Sequence, residues 1–392
     1  MKNVVIVAAK RTPLGSFGGS LAGLTAPELG ASTILEVVKE AGVKPKDVQE
    51  VVFGNVLSAG IGQAPARQAA LKAGLSETTP CTTVNKVCAS GMKAIMIASD
   101  QIQLGQTDIV VAGGMESMSN VPYYLPKHRF GSKLGHSEIQ DGIIKDGLWD
   151  VYKDFHMGNA AELCATDCKI SREDQDEYAI TSYKRAIEAH EKGYLKDEII
   201  KMKVSGRKGE VKEVIKDEEL DKVNFDKIPS LRPVFDKQGT VTAANASSIN
   251  DGAAAVLLMS EEKANELGLT PLARIRSHGS AAKAPEWFTT APADAIPIAL
   301  KRANVDKENI DLFEINEAFS VVSLANNRLL ELNPEKVNIH GGAVSIGHPI
   351  GCSGARIVVT LLHALKRTGG TLGCAGICNG GGGASALVIE ME

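Results

Sequence analysis

The sequence predicts an α/β fold of two pseudo-symmetric halves separated by an inserted loop domain, and three observations predict it. Short apolar runs alternate with segments of helical spacing, the two ends of the chain repeat one another at a near-constant offset, and the stretch between them loses both patterns. Taken in order, residues 4–8 and 50–53 are β-branched or apolar runs of buried-strand type, as are 108–112 and 386–390. Residues 90–104 and 353–366 carry helical spacing after Ser-Gly starts. Residues 41–56 align with 303–318 at an offset of 262, while Ser90 aligns with Ser353 and Ile109 with Leu372 at 263. Three matches in one order describe two related halves rather than a short-period solenoid. This assigns residues 1–118 with about 250–270 to the first half, 119–249 to the insertion and 271–392 to the second half. Within the insertion, residues 191–227 hold ten basic and ten acidic side chains without a sustained apolar period. That stretch is expected to lie on the surface and form no core.

Composition narrows the function classes. With 43 Lys and Arg against 47 Asp and Glu, a net charge of −4, the chain lacks the basic footprint of a nucleic-acid binder. No run approaches the ~20 apolar residues of a membrane helix, and the six apolar residues at 4–9 are too short for a signal-peptide core. Seven cysteines, an odd number, favour reduced thiols and a cytoplasmic setting. Cys164 and Cys168 share C-x3-C spacing with Cys374 and Cys378, but no further Cys or His pair completes a zinc pattern, so no metal is expected. The 39 glycines cluster at 113–114, 341–342 and 380–383, which points to backbone packed closely against something.

Two residues stand at turns that suit chemistry. Cys88 follows an apolar approach and precedes the helix expected at Ser90, where the partial positive charge of a helix N-terminus favours a thiolate. His348 is flanked by glycines and followed by Pro349, a rigid turn that presents a neutral imidazole able to take a thiol proton. The repeat puts His348 opposite Asn85, three residues before Cys88, so the two side chains are expected to face one another across a pseudo-twofold axis. Cys378 precedes the run Gly380 to Gly383, whose open N–H groups can hold a developing oxyanion. The same pattern also describes a glycine-rich hairpin with a buried cysteine. Asn316 follows a strand-like run and can hold a water or polarise an imidazole.

Together, Val87-Cys88-Ala-Ser-Gly, Asn316-Glu-Ala-Phe319, Gly347-His348-Pro-Ile-Gly-Cys-Ser-Gly-Ala and Cys378-Asn-Gly-Gly-Gly-Gly resemble the motifs of the thiolase family, in order and across essentially the whole chain. Residues 156–158, 239–247 and 338–342 are most similar to its biosynthetic, acetoacetyl-CoA branch. The resemblance implies a five-layered αβαβα fold and acetyl-CoA C-acetyltransferase activity: condensation of two acetyl-CoA to acetoacetyl-CoA and CoA, and the reverse thiolysis. It further implies Cys88 as the acetylated nucleophile, His348 as its base, Cys378 as the base for the second substrate, and Asn316 as holder of an oxyanion-hole water. Gly380 would supply an N–H to a second oxyanion hole. By the same resemblance Leu148, His156, Met157, Phe235, Ala243, Ser247, Ala318 and Phe319 would line the coenzyme A site. The charge-dense stretch 191–227 becomes a solvated rim near the nucleotide. A homotetramer, a role in lipid metabolism and no cofactor beyond coenzyme A as substrate are implied too. Leu220 stands where potassium-binding members carry a tyrosine, and Phe288 is followed by Thr289 where they have proline.

Three alternatives belong beside this reading. A degradative 3-ketoacyl-CoA thiolase would run the same chemistry with a longer acyl pocket, and His156-Met157 goes with the short-chain branch instead. A decarboxylating condensing enzyme would pair its cysteine with histidines or with His and Asn rather than a second cysteine. A non-catalytic lipid carrier of the superfamily would have lost one of Cys88, His348 and Cys378.

Overall fold

In the computed structural model, which describes residues 1–205 and 210–392, the apolar runs of the sequence become a mixed sheet. Its strands are β1 (Val4–Arg11), β2 (Glu50–Gly54), β3 (Cys81–Val84), β4 (Ile109–Ser117), β5 (Asn250–Ser260), β6 (Ala273–Ala282), β7 (Leu312–Ile315), β8 (Leu372–Asn379) and β9 (Gly383–Met391). The order across the sheet is β7-β8-β9-β6-β1-β5-β4-β2-β3, with the short strand Gly15–Ser16 attached to β5. The order is symmetric about the β1/β6 junction. Each half runs from an inner antiparallel strand to a parallel outer pair: β1, β5, β4, β2 on one side and β6, β9, β8, β7 on the other. The halves touch through only two register pairs, Val5 with Arg274 and Ile6 with Ala273.

Helices complete the layers because strands buried on both faces need cover. The helices α1 (Ala26–Glu40) and α2 (Pro65–Lys72) pack outside the first half-sheet, in a core with Val51, Phe53 and Leu257. Two further helices, α4 (Met157–Asp167) and α5 (Arg172–Glu191), belong to the insertion, while α6 (Pro292–Ala303) covers the outside of the second half-sheet with Phe313 and Val388. The helices α3 (Ser90–Gln103) and α8 (Ile350–Thr368), with α7 (Ser320–Leu329) between α6 and α8 in sequence, complete the set used here. A single apolar cluster joins α3 and α8 to both half-sheets, through Ile95, Val359 and Leu362 against Val110, Leu258, Ile377 and Leu387. These two helices are therefore the middle of five layers. Every residue of α8 from Ile350 to Leu365 is buried, its polar side chains included: Arg356 pairs with Glu314 and His363 Nε2 lies 3.0 Å from the Ala9 carbonyl.

Glycine sets how closely the two central helices cross. A Cβ on Gly91 would lie 2.8 Å from the Ala355 nitrogen, and one on Gly354 would lie 2.5 Å from the Met92 nitrogen. Backbone thus touches backbone at the Ser-Gly starts read from the sequence. The central helices begin near their expected places, α3 at Ser90 and α8 at Ile350, one turn before Ser353, with Pro349 as its N-cap. Proline suits that boundary because its φ is already fixed and it has no N–H to satisfy.

The charge-dense stretch 191–227 departs from expectation; its residues 206–209 lie outside the described part. Strands Met202–Ser205 and Val211–Val214 form a hairpin whose Met202, Val204 and Val214 join the outer core of the first half. Glu198 and Asp217 are fully buried on Arg11 of β1, with Nε to Glu198 at 2.6 Å and a bidentate pair to Asp217 at 2.7 and 2.9 Å. The stretch is thus anchored by buried ion pairs rather than being a solvated rim, because the cation that neutralises it lies some two hundred residues away in sequence. Burial alone would raise the Asp217 acid, but Arg11 and His190 outweigh it and hold the carboxyl below the ordinary range.

Candidate active site

Both turns singled out in the sequence deliver their side chains to one cavity. Cys88 precedes α3 by two residues and His348 precedes α8 by two, at equivalent positions of the two halves. Gly91 and Gly354 bring these helix starts together. The preceding backbone is strained: Val87 has φ +47°, a region a β-branched residue rarely enters. Its amide is held by Asn85 Oδ1 at 2.9 Å and its carbonyl accepts from Ser90 Oγ at 2.6 Å, so the turn that projects Cys88 is fixed from both ends.

The cavity is about 380 Å³ and predominantly apolar. Cys88, His348 and Gly380 lie on its wall, as do all eight residues expected along coenzyme A: Leu148, His156, Met157, Phe235, Ala243, Ser247, Ala318 and Phe319. His156 is the N-cap of α4; its Nδ1 accepts the Gly158 N–H at 3.0 Å and its ring stacks on Phe235 with centroids 4.7 Å apart. Burial lowers its pKa, so the ring is neutral, with Nε2 carrying the proton. Phe235 meets Phe319 edge-on at 6.3 Å, and Ser247 Oγ donates to the Ala318 carbonyl at 2.8 Å, tying opposite walls together. Asn316 and Cys378 do not line the cavity; both are fully buried behind it.

Electrostatics assign the resting proton positions. Burial pushes the Cys88 thiol up to about 11, against hydrogen bonding from the N–H of Gly380 and its own N–H. The helix start expected to lower this value is too weak to offset desolvation, since α3 begins two residues on and the surrounding wall is apolar. Burial, with Arg356 nearby, pulls His348 down to about 3, so the imidazole is neutral. Ser353 Oγ lies 3.0 Å from the Pro349 carbonyl and 2.6 Å from His348 Nδ1. With the hydroxyl proton given to that carbonyl, Nδ1 is the protonated nitrogen and Nε2 keeps its lone pair. Asn316 Nδ2 stands 3.5 Å from Nε2, and Arg356 reaches Asn316 Oδ1 at 3.5 Å, which turns the amide NH₂ toward the imidazole. Cys378 is raised well above a normal thiol, first by burial and then by the charge of Cys88 beside it.

A neutral thiol and neutral imidazole predict a pH profile. Alkylation of Cys88 by iodoacetamide, read by peptide mass spectrometry, should accelerate about tenfold per unit from about pH 7 to 9. A plateau starting at neutral pH would instead show a resting thiolate–imidazolium pair.

The Gly380–Gly383 run is a hairpin between β8 and β9, with Gly381 and Gly382 both at φ +83° and only Gly380 on the cavity. The run is thus the glycine-rich hairpin with a buried cysteine beside it, and Gly380 is its one residue on the cavity. Cys374 and Cys378 lie four residues apart on one strand, which separates them by about 13 Å, too far for one metal. Cys164 and Cys168 stand 4.0 Å apart, but no group of three or more ligating side chains occurs among the described residues. Sequence reasoning missed the Met118, Ile249 and Ile350 walls, the Ser353 contact and two buried carboxylates, Glu116 and Glu317. Ser353 and Ile350, in the same glycine motif as His348, and Glu317, beside Asn316, lie within motifs the sequence displays, whereas Met118, Ile249 and Glu116 left no such signal.

With that geometry in hand, comparisons place the chain among known proteins. Two family profiles match end to end: "Thiolase, N-terminal domain" over residues 4–262 and "Thiolase, C-terminal domain" over 269–391. Acetyl-CoA acetyltransferase 2 of Arabidopsis thaliana is 58% identical over 392 residues, covering 100% of this chain and 97% of that protein. The cytosolic acetyl-CoA acetyltransferase of Gibberella zeae is 56% identical over 388 residues, 99% of this chain and 98% of its own. Among solved structures, an Ascaris suum thiolase in complex with coenzyme A superposes with a TM-score of 0.95 at 44% identity, covering 100% of both chains. The Bacillus anthracis acetyl-CoA acetyltransferase superposes at 0.98 with 45% identity, over 100% of this chain and 99% of that one.

Proposed function

The chain belongs to the thiolase family and is an acyltransferase, and on that footing we propose that it joins two acetyl-CoA into acetoacetyl-CoA and CoA, and reverses the reaction, through an acetyl-Cys88 intermediate. The observation that carries this reading is the convergence of Cys88, the lone pair of His348 Nε2 and the Gly380 N–H on one apolar cavity. Cys88 passes its proton to His348 as its sulfur attacks the acetyl thioester. The acetyl group returns to sulfur chemistry at every step, so neither half-reaction falls into the deeper well of an oxygen ester.

Two oxyanion sites follow from the same walls. The N–H groups of Cys88 and Gly380 already point at the Cys88 sulfur and would hold the oxygen of its acetyl group. His348, protonated by Cys88, and a water held by Asn316 would hold the thioester oxygen of the second substrate. A donor of this kind is worth about 3–4 kcal/mol in the transition state. Cys378, beside Cys88 and raised well above the normal thiol range, would give its proton to the CoA thiolate that leaves as Cys88 is acetylated, and the thiolate so formed would take a C2 proton from the second acetyl-CoA. His156, Met157, Phe235 and Phe319 support the pantetheine arm, with Leu148, Ala243, Ser247 and Ala318 completing the walls. No cofactor beyond coenzyme A as substrate enters this scheme.

The test is thiolysis of acetoacetyl-CoA against a ten-carbon 3-ketoacyl-CoA, followed by loss of the enolate absorbance. Phe288, Met157 and Phe319 crowd the cavity, so the short substrate should be cleaved at least about tenfold faster in kcat/KM. Equal rates would replace short-chain specificity with a general degradative role. Exposed apolar side chains on the segment after β4, Tyr123, Leu125, Phe130, Leu134 and Ile139, support assembly into a homotetramer. The name of the Gibberella relative, a cytosolic acetyl-CoA acetyltransferase, supports a cytosolic place; no described helix is long and apolar enough to cross a membrane.

A further inference from the structure

We propose that Glu116 and Glu317 are positioning residues that clamp the His348 turn from opposite sides, one carboxylate from each half of the molecule; the proposal rests on His348 serving Cys88 as read above. Glu317, two residues after β7, accepts the Val344 N–H at 3.1 Å, four residues before His348. Glu116, near the end of β4, accepts the Gly351 N–H at 2.8 Å, three residues after it. Between them the His348 N–H donates to Asn250 Oδ1 at 3.0 Å. The His348 N–H is shared with the Ser248 carbonyl at 3.1 Å, and residues 345–347 close a short turn on Gly342 and Ala343, so the two carboxylates grip this turn at its ends, at Val344 and Gly351.

Each carboxylate is itself over-determined. Glu116 also accepts from Asn55 Nδ2 at 2.7 Å and from the Val56 and Leu57 N–H groups at 3.1 Å each. Glu317 also accepts from Tyr178 Oη at 2.9 Å, Ser182 Oγ at 2.7 Å and Asn338 Nδ2 at 3.0 Å. Both are at most 1% exposed, and neither lines the cavity, so they act through the turn and not on substrate.

Glycine supplies an independent sign that these contacts are built. A Cβ on Gly342 would fall 2.4 Å from the Glu317 carboxyl carbon, and one on Gly351 would fall 2.6 Å from Glu116 Oε2. Glycine thus bounds the turn on both sides where a carboxylate must reach backbone. Burial raises the Glu116 acid to about 7, the cost of keeping a carboxylate there without a cation in contact. The first turn of α8 that Glu116 holds also carries Ser353, which orients the imidazole. Displacing this turn by about 1 Å would cost roughly 10²-fold in rate.

Glu317→Gln and Glu116→Gln keep the shape but turn an NH₂ toward N–H donors. Each should lower kcat for acetoacetyl-CoA thiolysis by roughly 10²-fold, with KM within about twofold, and slow Cys88 alkylation in parallel. Tyr178→Phe removes one donor from Glu317 while keeping the ring, and provides a foldable variant expected to lose about three- to tenfold in kcat. Unchanged kcat and alkylation in folded Glu variants, or in Tyr178→Phe when these do not fold, would overturn the clamp. Equal losses in KM and kcat would do the same. An inactive wild type would sink the reading of the reaction instead, and so the two failures are separable.

Discussion

Cys88→Ala is expected to lower acetoacetyl-CoA thiolysis by roughly 10⁴- to 10⁶-fold while leaving the melting temperature within a few degrees of wild type. The loss is this large because, among the described residues, Cys88 is the one cysteine on the cavity wall, and Cys378 behind it is proposed to exchange a proton and not to take the acyl group. Cys378 is fully buried behind the cavity wall, Cys164, Cys352 and Cys374 are buried elsewhere, and among the described residues no other cysteine lines the cavity. Stability is spared because Cys88 is only half-buried and the strained Val87 turn is held by Asn85 and Ser90, not by the thiol. The measurement is a progress curve of enolate absorbance beside a thermal melt. Activity surviving within tenfold would assign the acetyl group to another residue and break the proposed mechanism.

Arg11→Met is expected to be the most damaging change to stability outside the site, about 3–5 kcal/mol at neutral pH, because it leaves Glu198 and Asp217 buried without their cation. The sign of its pH dependence can be worked out. In the wild type Asp217 is held below its unfolded value near 3.9, so its stabilisation is present above that pH and is lost as pH falls through the folded pKa. Without Arg11, burial raises the Asp217 acid, and protonation then favours the folded state. The gap between variant and wild type should therefore narrow below about pH 5. Urea unfolding at pH 7 and pH 4.5 reads this directly; a gap that widens on acidification would mean that the pair does not carry the energy assigned to it.

Much of the architecture was legible because its signals are local. Cys88 and His348 each sit in a glycine-marked turn ahead of an apolar helix, and the internal repeat pairs them without any coordinate. The eight residues expected around coenzyme A all reach one cavity, since the motif segments that hold them keep their backbone contacts. What escaped reading is non-local. Arg11 meets Asp217 across 206 residues and Glu116 meets the Gly351 N–H across 235, so one charge that looks solvated in sequence is neutralised in space and another is held by buried N–H donors. The thiol itself was misjudged for a related reason: helix position argues for a low pKa, but only the packed walls around Cys88 show that desolvation wins.

The crossing of α3 and α8 has a further meaning for how this molecule comes to exist. Cys88 belongs to one half and His348 to the other, and the helices that follow them meet in the core that joins both half-sheets. Neither half can shield its central helix alone, because α8 is buried from Ile350 to Leu365 and its cover is α3 and both half-sheets. Reactivity is consequently a late product of biosynthesis. The Cys88 and His348 turns line a common cavity only once the second half has packed its central helix against the first.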